Sequence, residues 1–538
     1  MDPQTLDPQT LDPQTLNRVI TCRGYAVKKS SIDSKELEEI RKELTVAPIV
    51  NDKFGKGGES FPIFSESATR IYMPRDWAMR RFGVPQANIV SEGERLPAHI
   101  TFGGKPFDYQ INIINKFIDA GANGLICVPC GKGKTFMALA IAARLGRRFC
   151  IVVDKEFLLN QWKGEIETFF PGLTVGIYQG DKKQTGSEVI YQKEATATEL
   201  KERCRLEGLK LGGSKDELLK RLAAAGIDMT PKSKTITYDV TICMIQTIVQ
   251  RDMADDSFKS YGFTIFDECH HLGAAHFSRV LAKIQTRWML GLSATPTRDD
   301  GLTKVFEWYL GEPVYWEKIR EADETVAVYT ISCAYNDPAY SEEPVDWKGD
   351  VVMARMLGKV VDYMPRTERI ANLLKTWLAE SVERRILILS ERKEHLRRFE
   401  ELLEVTKVPI GYYIGGMTDE AREESATKCR VILATYAMAS EAMNIKTLNA
   451  VALVSPRKKV EQSTGRILRI RPEQRNLEHR ILDVIDQHSM YLGQWRKRLT
   501  YYKQCGYKLF RLGEDDTATV MDTGPKKALD LSVCQMSD

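Results

Sequence analysis

Residues 128–135, which read VPCGKGKT, have the residue types of a phosphate-binding loop. Such a loop surrounds phosphate with backbone N–H groups at a helix N-terminus, while a lysine reaches the terminal phosphates and a hydroxyl holds magnesium. Lys134 and Thr135 stand at the positions for these two roles, although the pattern GxxxxGK[ST] requires glycine where this chain has Val128. The alternative is an ordinary strand, turn and helix with lysines on its surface.

Two acidic residues, Asp267 and Glu268, directly follow the apolar run FTIF. A phosphate loop works with one carboxylate that holds magnesium and a second one that orients and deprotonates water. Solvated carboxylates at the end of a strand would give the same pattern. Ser293 and Thr295 follow a further apolar run, at the carboxyl end where α/β sheets bind ligands. Three such pieces in this order favour a nucleotide site.

These residues require parallel sheets to position them. From about residue 96 onward, short apolar runs rich in β-branched residues alternate with helical patterns, which indicates βαβ units. A charged, irregular stretch at 319–364 separates the runs into two groups. We therefore predict an α/β protein with two tandem domains at 96–318 and 365–512, joined by a linker at 319–364 and followed by a flexible tail at 513–538.

The first 95 residues have a different character. The sequence DPQTL occurs three times in residues 2–16, which is too short for a solenoid and predicts a disordered tail over 1–16. Residues 17–95 combine a charged helical stretch with glycine-rich and aromatic segments. This mixture predicts a small N-terminal accessory domain of the α+β type.

A charged helical segment at 195–228 interrupts the first α/β domain. It reads as two short amphipathic helices around a glycine turn, and a capping box of Ser214 and Glu217 starts the second helix. The apolar residues expected to meet across this hairpin are Leu200, Cys204, Leu209, Leu218, Leu219 and Leu222. The basic residues expected outside are Lys201, Arg203, Arg205, Lys210, Lys215, Lys220 and Arg221.

Composition sets broad limits on function. The formal net charge is +4 over 538 residues, so any nucleic-acid surface must be local. The 11 cysteines show no paired spacing beyond Cys127 and Cys130, which favours reduced thiols in an intracellular protein over zinc or redox use. The nearby His270, His271 and His276 also lack metal-ligand spacing. No apolar run approaches the length of a membrane span, so a soluble protein is expected.

The ordered set of motifs resembles superfamily 2 helicases and translocases. PCGKGKT, DECH, SAT and, in the second α/β domain, QSTGRILR at 462–469 match motifs I, II, III and VI of that superfamily. The form PCGxGK, which lacks the first glycine, is similar to the XPB-like branch with its DExH-type motif II. The resemblance covers about residues 96–510 and implies two RecA-like domains that bind ATP and Mg²⁺ in the cleft between them.

The resemblance also implies roles for individual residues. Gln110 would recognise adenine, and Thr135 and Asp267 would hold Mg²⁺. Glu268 would act on water, while Arg466 and Arg469 would be arginine fingers for the γ-phosphoryl group. Arg298 to Asp300, RDD, match an element implicated in duplex opening, and His270 would link the motifs of the two domains. The nucleotide-binding set is Gln110, Pro129, Cys130, Gly131, Lys132, Gly133, Lys134, Thr135 and Gln462, and the catalytic set is Lys134, Asp267, Glu268, Arg466 and Arg469.

One motif departs from the family pattern. Motif V commonly carries an aspartate, whereas the matching residues here are Glu441, Ala442, Asn444 and Lys446, which puts coupling between the domains in doubt. The hairpin at 195–228 resembles a SAP motif, a small DNA-binding unit. The N-terminal region is similar to the leader domain of helicases from large nucleocytoplasmic DNA viruses, which implies a nuclear, viral-factory or virion location.

Three functions are compatible with these patterns. The leading hypothesis is a DNA helicase or translocase that acts on single- or double-stranded DNA and serves transcription or repair machinery. The second is an RNA helicase, since superfamily 2 includes both. The third is a DNA-binding scaffold with a decayed ATPase, against which the joint presence of Lys134, Asp267 and Glu268 with the two motif VI arginines argues.

Overall fold

The computed structural model of the protein describes residues 15–49, 58–129, 131–191, 195–229, 233–254, 256–317, 322–441, 445, 447–465, 470 and 472–521. The chain divides into two compact units, Met1–Ile126 with Thr135–Tyr315, and Cys127–Lys134 with Trp316–Asp538. Most of the DPQTL repeat and residues 522–538 of the expected tail lie outside the described residues.

The N-terminal region of the first unit forms a five-stranded sheet of its own, in the order β5-β6-β2-β1-β7. A further two-stranded pair, β3 and β4, lies beside α1 in sequence. The elements are β1 (Arg18–Thr21), β2 (Gly24–Lys28), α1 (Ser34–Glu43), β3 (Thr45–Val46), β4 (Phe61–Pro62), β5 (Ser65–Glu66), β6 (Arg70–Met73), α2 (Arg75–Phe82) and β7 (Ala87–Asn88). This sheet with its two helices is a small α+β arrangement.

The main sheet of the first unit has eight strands in the order β11-β10-β14-β9-β15-β16-β8-β17. Its elements, with those of the insertion, are α3 (Asp108–Asp119), β8 (Asn123–Cys127), α4 (Lys134–Leu145), β9 (Phe149–Val153), α5 (Glu156–Phe169), β10 (Val175–Gln179), β11 (Lys182–Lys183), β12 (Ser187–Tyr191), α6 (Ala197–Leu206), α7 (Lys215–Ala224), β13 (Ser233–Thr237), β14 (Val240–Met244), α8 (Ile245–Gln250), β15 (Phe263–Phe266), α9 (Arg279–Lys283), β16 (Trp288–Ser293), α10 (Thr303–Leu310) and β17 (Pro313–Trp316).

The centre of this sheet is parallel and buried on both faces. Strand β15 pairs with β9 and β16, and β14 pairs with β9 and β10, all in parallel register. Every residue of β9, β14 and β15 is buried, as expected for strands covered by helices on both sides. Because parallel strands share one carboxyl edge, the segments that follow β9, β15 and β16 emerge on the same side of the sheet.

The insertion is a helical hairpin on a two-stranded antiparallel stalk of β12 and β13. Helices α6 and α7 enclose a small core of their own, in which Leu200, Cys204, Leu218 and Leu222 are fully buried. The expected capping box of Ser214 and Glu217 is present, and Thr196 with Glu199 forms a second box at the start of α6. Two of the basic residues expected outside, Lys215 and Arg221, are only half-exposed, and Arg221 donates to the carbonyl of Gly212 at 3.0 Å in the turn.

The second unit contains another eight-stranded sheet, in the order β20-β21-β19-β22-β23-β18-β24-β25. Its elements are β18 (Val326–Cys333), α11 (Pro338–Ser341), α12 (Met353–Asp362), α13 (Met364–Glu380), β19 (Ile386–Ser390), α14 (Lys393–Leu403), β20 (Ile410–Tyr413), α15 (Asp419–Lys428), β21 (Val431–Thr435), α16 (Tyr436–Glu441), β22 (Ala450–Leu453), α17 (Glu461–Thr464), β23 (His479–Asp486), α18 (Ser489–Gln504), β24 (Lys508–Leu512) and β25 (Ala518–Val520). The predicted α/β class with two parallel-sheet domains is confirmed.

Two boundaries of the second domain differ from the sequence expectation. Strand β18 lies inside the segment expected to be a linker, yet it pairs in parallel with both β23 and β24 over most of its length. Strand β25 lies in the expected tail and pairs antiparallel with β24. The apolar run of β18, VAVYTISC, is flanked by charged residues, so the local composition resembles a linker. The run becomes part of a sheet because it pairs with strands far along the chain.

Two buried ion pairs connect β23 to the helices around it. Arg366 in α13 contacts both carboxylate oxygens of Asp486, at 2.6 and 2.9 Å, and both side chains are completely buried. Arg366 also donates to the carbonyl of Val454, and the Tyr340 hydroxyl donates to Asp486 at 2.7 Å. Arg498 on α18 likewise donates to both carboxylate oxygens of Asp483, from Nε at 2.9 Å and from Nη2 at 2.8 Å.

Replacement of Asp486 by asparagine is expected to destabilise the second unit by about 3–5 kcal/mol, because it leaves the buried Arg366 guanidinium without its counter-charge. The measurement is the urea-unfolding transition of the full chain. The control is Lys428→Ala, which removes an exposed pair with Glu424 and should leave the transition unchanged. Similar transitions for the two variants would contradict the structural role of the buried pair.

Candidate nucleotide-binding site

The loop after β8 has the backbone of an anion-binding turn. Gly131 and Gly133 have φ angles of 90° and 78°, a left-handed conformation that side-chain-bearing residues rarely adopt. Helix α4 then begins at Lys134. Val128, where the general pattern has glycine, is fully buried at the end of the strand and does not belong to the left-handed part of the turn. The substitution at 128 is therefore compatible with the loop geometry.

The loop lysines have different surroundings. The Lys134 Nζ donates to the carbonyl of Val128 at 3.4 Å, so its side chain folds back across the loop. The Lys132 Nζ lies 3.3 Å from Glu317 Oε1. Pro129, Lys132, Gly133, Lys134 and Thr135 are half-buried and Gly131 is exposed, while Cys130 lies outside the described residues. This turn combines left-handed glycines, a helix N-terminus and a lysine, and it fits the phosphates of a nucleoside triphosphate.

The acidic pair follows β15 at the carboxyl edge of the sheet. The Asp267 N–H donates to the carbonyl of Val152 in β9 at 3.0 Å, which continues the strand pairing. Its Oδ1 accepts from the Glu268 N–H at 3.0 Å, and its Oδ2 accepts from the indole N–H of Trp162 at 2.8 Å. Glu268 has φ 44° and ψ 49°, a left-handed conformation that is uncommon outside glycine and often occurs at functional sites.

A histidine connects the acidic pair with the SAT segment. His270 Nδ1 lies 3.3 Å from Glu268 Oε2 and 3.0 Å from Ser293 Oγ. The Ser293 hydroxyl oxygen in turn accepts from the Thr295 N–H at 3.1 Å. Motifs II and III are thus joined by side-chain contacts within the first unit. The role of His270 in linking the two domains stays a prediction.

The next histidine faces a buried carboxylate. His271 Nε2 lies 3.8 Å from Asp154 Oδ2, and Asp154 follows β9 at the same edge of the sheet. Burial raises the pKa of Asp154, and the positive charge of Lys155 opposes this effect. In the part of the chain that the structure describes, no group of three or more His, Cys, Asp or Glu residues is arranged to hold a metal ion.

The Arg298 side chain is held in place beside motif II by an ion pair and a hydrogen bond. It forms a two-pronged ion pair with Asp300, and its Nη1 donates to the carbonyl of His270 at 2.6 Å. The hydrogen bond from Arg298 lowers the pKa of Asp300. A side chain bound in this way supports the loop after motif III, and the duplex-opening role that the resemblance implies for RDD stays a prediction.

Gln110 is buried at the start of α3. Its side-chain oxygen accepts from the Phe107 N–H at 3.0 Å and so caps the helix. The rings of Phe107 and Tyr109 stack nearly parallel on the exposed side, with centroids 6.0 Å apart. To recognise adenine, the Gln110 side chain must contact the base while it also caps the helix. This role of Gln110 remains a proposal.

The motif VI residues are only partly described. Gln462 lies in α17, while Arg466 and Arg469 lie outside the described residues, as do Ala442, Asn444 and Lys446 of motif V. Two arginines near these motifs are already paired, and one of them, Arg498, is buried against Asp483. Arg457 forms an ion pair with Glu391.

Two family models match the chain. Residues 104–298 match the model described as type III restriction enzyme, res subunit, and residues 367–471 match the helicase conserved C-terminal domain. The first match contains the loop and the acidic pair, and the second contains Gln462 and the motif VI arginines. The chain contains a superfamily 2 helicase core. Its two eight-stranded sheets are the two RecA-like domains of that core.

Relatives of this helicase core occur in viruses and archaea. A protein of Acanthamoeba polyphaga mimivirus, named as an ATP-dependent RNA helicase, is 28% identical, covering 91% of this chain and 86% of its own length. A protein of Sulfurisphaera tokodaii, named as the DNA 3'-5' translocase XPB2, is 26% identical over 42% of this chain and 39% of its own length. The helicase domain of Pyrococcus furiosus Hef is a structural neighbour at 13% identity with a TM-score of 0.42, covering 73% of this chain and 98% of that domain.

Sequence reasoning missed two partners of the helicase motifs. Trp162 belongs to the segment NQWKGEI, and Glu317 lies at the end of the first predicted domain. A tryptophan nine residues after a buried strand is a weak signal by itself. Its partner, Asp267, lies 105 residues later, so only the folded sheet brings the two together.

Proposed function

We propose that this helicase core is an ATP-dependent motor that moves along DNA or unwinds it. The observation that supports the ATPase is the strand order of the main sheet, in which β16 lies between β8, which leads into the phosphate loop, and β15, which leads into Asp267 and Glu268. The observation that favours DNA as the track is the SAP-like helical hairpin.

Each residue of the proposed site has a separate task. Lys134 and the loop N–H groups bind the terminal phosphates, and Thr135 with Asp267 holds Mg²⁺. Glu268 orients water and accepts its proton. Arg466 and Arg469 stabilise charge on the γ-phosphoryl group. When bound, ATP supplies the bond whose hydrolysis drives the motor.

The hairpin has features suited to binding the DNA backbone. It stands on its own stalk and contains its own core, so its outer surface is available for a ligand. Residues 195–228 carry seven basic and six acidic side chains, which leaves the segment almost neutral. Binding would therefore depend on local lysines, and Lys201, Lys210 and Lys220 are exposed. Phosphate contacts of this kind are independent of sequence and sensitive to salt.

RNA is the second candidate track. The mimivirus relative, which covers most of this chain, is named as an RNA helicase, whereas the archaeal translocase that is named for DNA matches a smaller part. The deciding experiment compares ATP turnover with single-stranded DNA, duplex DNA, forked DNA and RNA. Stronger stimulation by DNA supports the proposal, and equal or stronger stimulation by RNA favours the alternative. An absence of hydrolysis with every nucleic acid would indicate a binding scaffold.

The three hairpin lysines give a separate prediction. Replacement of Lys201, Lys210 and Lys220 by glutamine is expected to weaken binding to all DNA sequences, and to reduce the salt dependence by about one unit of log–log slope per lost phosphate contact. ATP turnover without DNA should not change, because the hairpin lies outside the nucleotide site.

The measurement is fluorescence-anisotropy titration of labelled duplex DNA at several salt concentrations. The matched control replaces three exposed lysines outside the hairpin, Lys35, Lys42 and Lys259, by glutamine. Equal affinity and equal slope in the two variants would contradict DNA binding by the hairpin.

A further inference from the structure

The metal-binding carboxylate of the proposed site has both of its oxygens engaged by N–H donors. Asp267 Oδ1 accepts from the Glu268 backbone, and Oδ2 accepts from the Trp162 indole at 2.8 Å. The backbone contact is local and follows from the turn after β15. The indole contact comes from α5, which is a different element of the same unit.

The position of Trp162 is fixed by the sheet that carries Asp267. Helix α5 follows β9, and Trp162 is only 1% exposed. Strand β9 pairs with β15, and the Asp267 N–H donates to Val152 in β9. The backbone of Asp267 is therefore held by β9, and its side chain is held by the helix that β9 leads into. The backbone hydrogen bond to β9 and the hydrogen bond from the Trp162 indole together fix the orientation of the Asp267 carboxylate.

We propose that Trp162 is a positioning residue for magnesium in the nucleotide site. The inference rests on the proposed function, because it requires Asp267 to bind the metal. An indole N–H is a donor without charge. It can orient a carboxylate without adding a cation that would repel Mg²⁺, as a lysine or arginine at this place would do. Partners that orient a metal ligand typically change metal affinity by about 10–100-fold.

A purely structural role is the competing explanation, since buried tryptophans usually find a partner for their N–H. The two explanations differ in what the loss of the N–H changes. A structural role predicts lower stability with unchanged metal dependence. A positioning role predicts weaker metal binding in a protein that is still folded, and recovery when the metal concentration is raised.

The test uses the full chain with Trp162→Phe, which keeps an aromatic ring and removes the donor, and with Trp162→His, which keeps a ring N–H. Binding of a fluorescent ADP is measured while Mg²⁺ is titrated, and ATP turnover is measured over the same range. The half-saturating Mg²⁺ concentration is expected to rise by about 10-fold or more for the phenylalanine variant and by less for the histidine variant. Excess Mg²⁺ should restore turnover.

The control is Trp377→Phe, which alters a buried tryptophan of the second unit. It should leave the Mg²⁺ dependence unchanged. The inference is overturned if the phenylalanine variant has the half-saturating Mg²⁺ concentration of the unmodified chain, or loses activity that excess Mg²⁺ does not restore although circular dichroism shows a folded protein. Absence of Mg²⁺-dependent nucleotide binding in the unmodified chain would instead refute the proposed function itself.

Discussion

Replacement of Glu268 by glutamine is expected to lower kcat for ATP hydrolysis by about 10²–10⁴-fold, the range for loss of a general base. Glutamine has almost the same shape as glutamate but cannot accept a proton from water. It can still occupy the left-handed position after Asp267 and contact His270. Nucleotide binding should therefore persist, and the variant should hold ATP without hydrolysing it.

Single-turnover hydrolysis of radiolabelled ATP, together with equilibrium binding of a fluorescent nucleotide, separates these two effects. The matched control is Glu312→Gln, which changes a carboxylate that pairs with Arg80 away from the proposed site. This control should hydrolyse ATP at the normal rate. A glutamine variant at 268 that also hydrolyses ATP at the normal rate would exclude Glu268 as the base.

Replacement of Lys134 by alanine is expected to lower kcat by about 10²–10³-fold, as for other side chains that stabilise charge in the transition state. Nucleotide affinity should fall too, because the same ammonium group contacts the terminal phosphates in the bound state. Replacement of Lys132 should have a smaller effect, since its ammonium group is already paired with Glu317.

Steady-state ATP turnover at saturating nucleic acid measures this prediction, with Lys304→Ala as a control. Lys304 lies in α10 over the ring of Trp308 and has no proposed role in the site. Undiminished hydrolysis by the Lys134 variant would refute the phosphate-loop assignment. Turnover that is equally low in the unmodified chain would support the scaffold hypothesis.

The sequence was most informative where a short segment contains all the residues of a feature. The helical hairpin is an example, since the leucine spacing and the Ser214 capping box lie within one segment and predicted both helices and their core. Most central strands were also recognisable, because strands buried on both faces read as continuous apolar runs. The loop sequence likewise has glycines at the two positions, 131 and 133, where the structure has left-handed backbone.

Contacts between distant residues could not be predicted in this way. The charged neighbours of β18 dominate the local composition and predict a linker, yet the strand pairs with β23 about 150 residues later. The burial of Arg498 gives no local signal in the sequence, because its counter-charge, Asp483, lies on another element.

The amino-acid sequence by itself determined the order and chemistry of the motifs, the α/β class and the inserted hairpin. These depend on residues within one turn, one strand or one helix pair. The tertiary structure alone decided which groups hold the proposed site in place, namely the Trp162 indole on Asp267 and the His270 contacts with Glu268 and Ser293. Such contacts form only when the parallel strands align their carboxyl ends, and this alignment depends on strand pairing across the whole sheet.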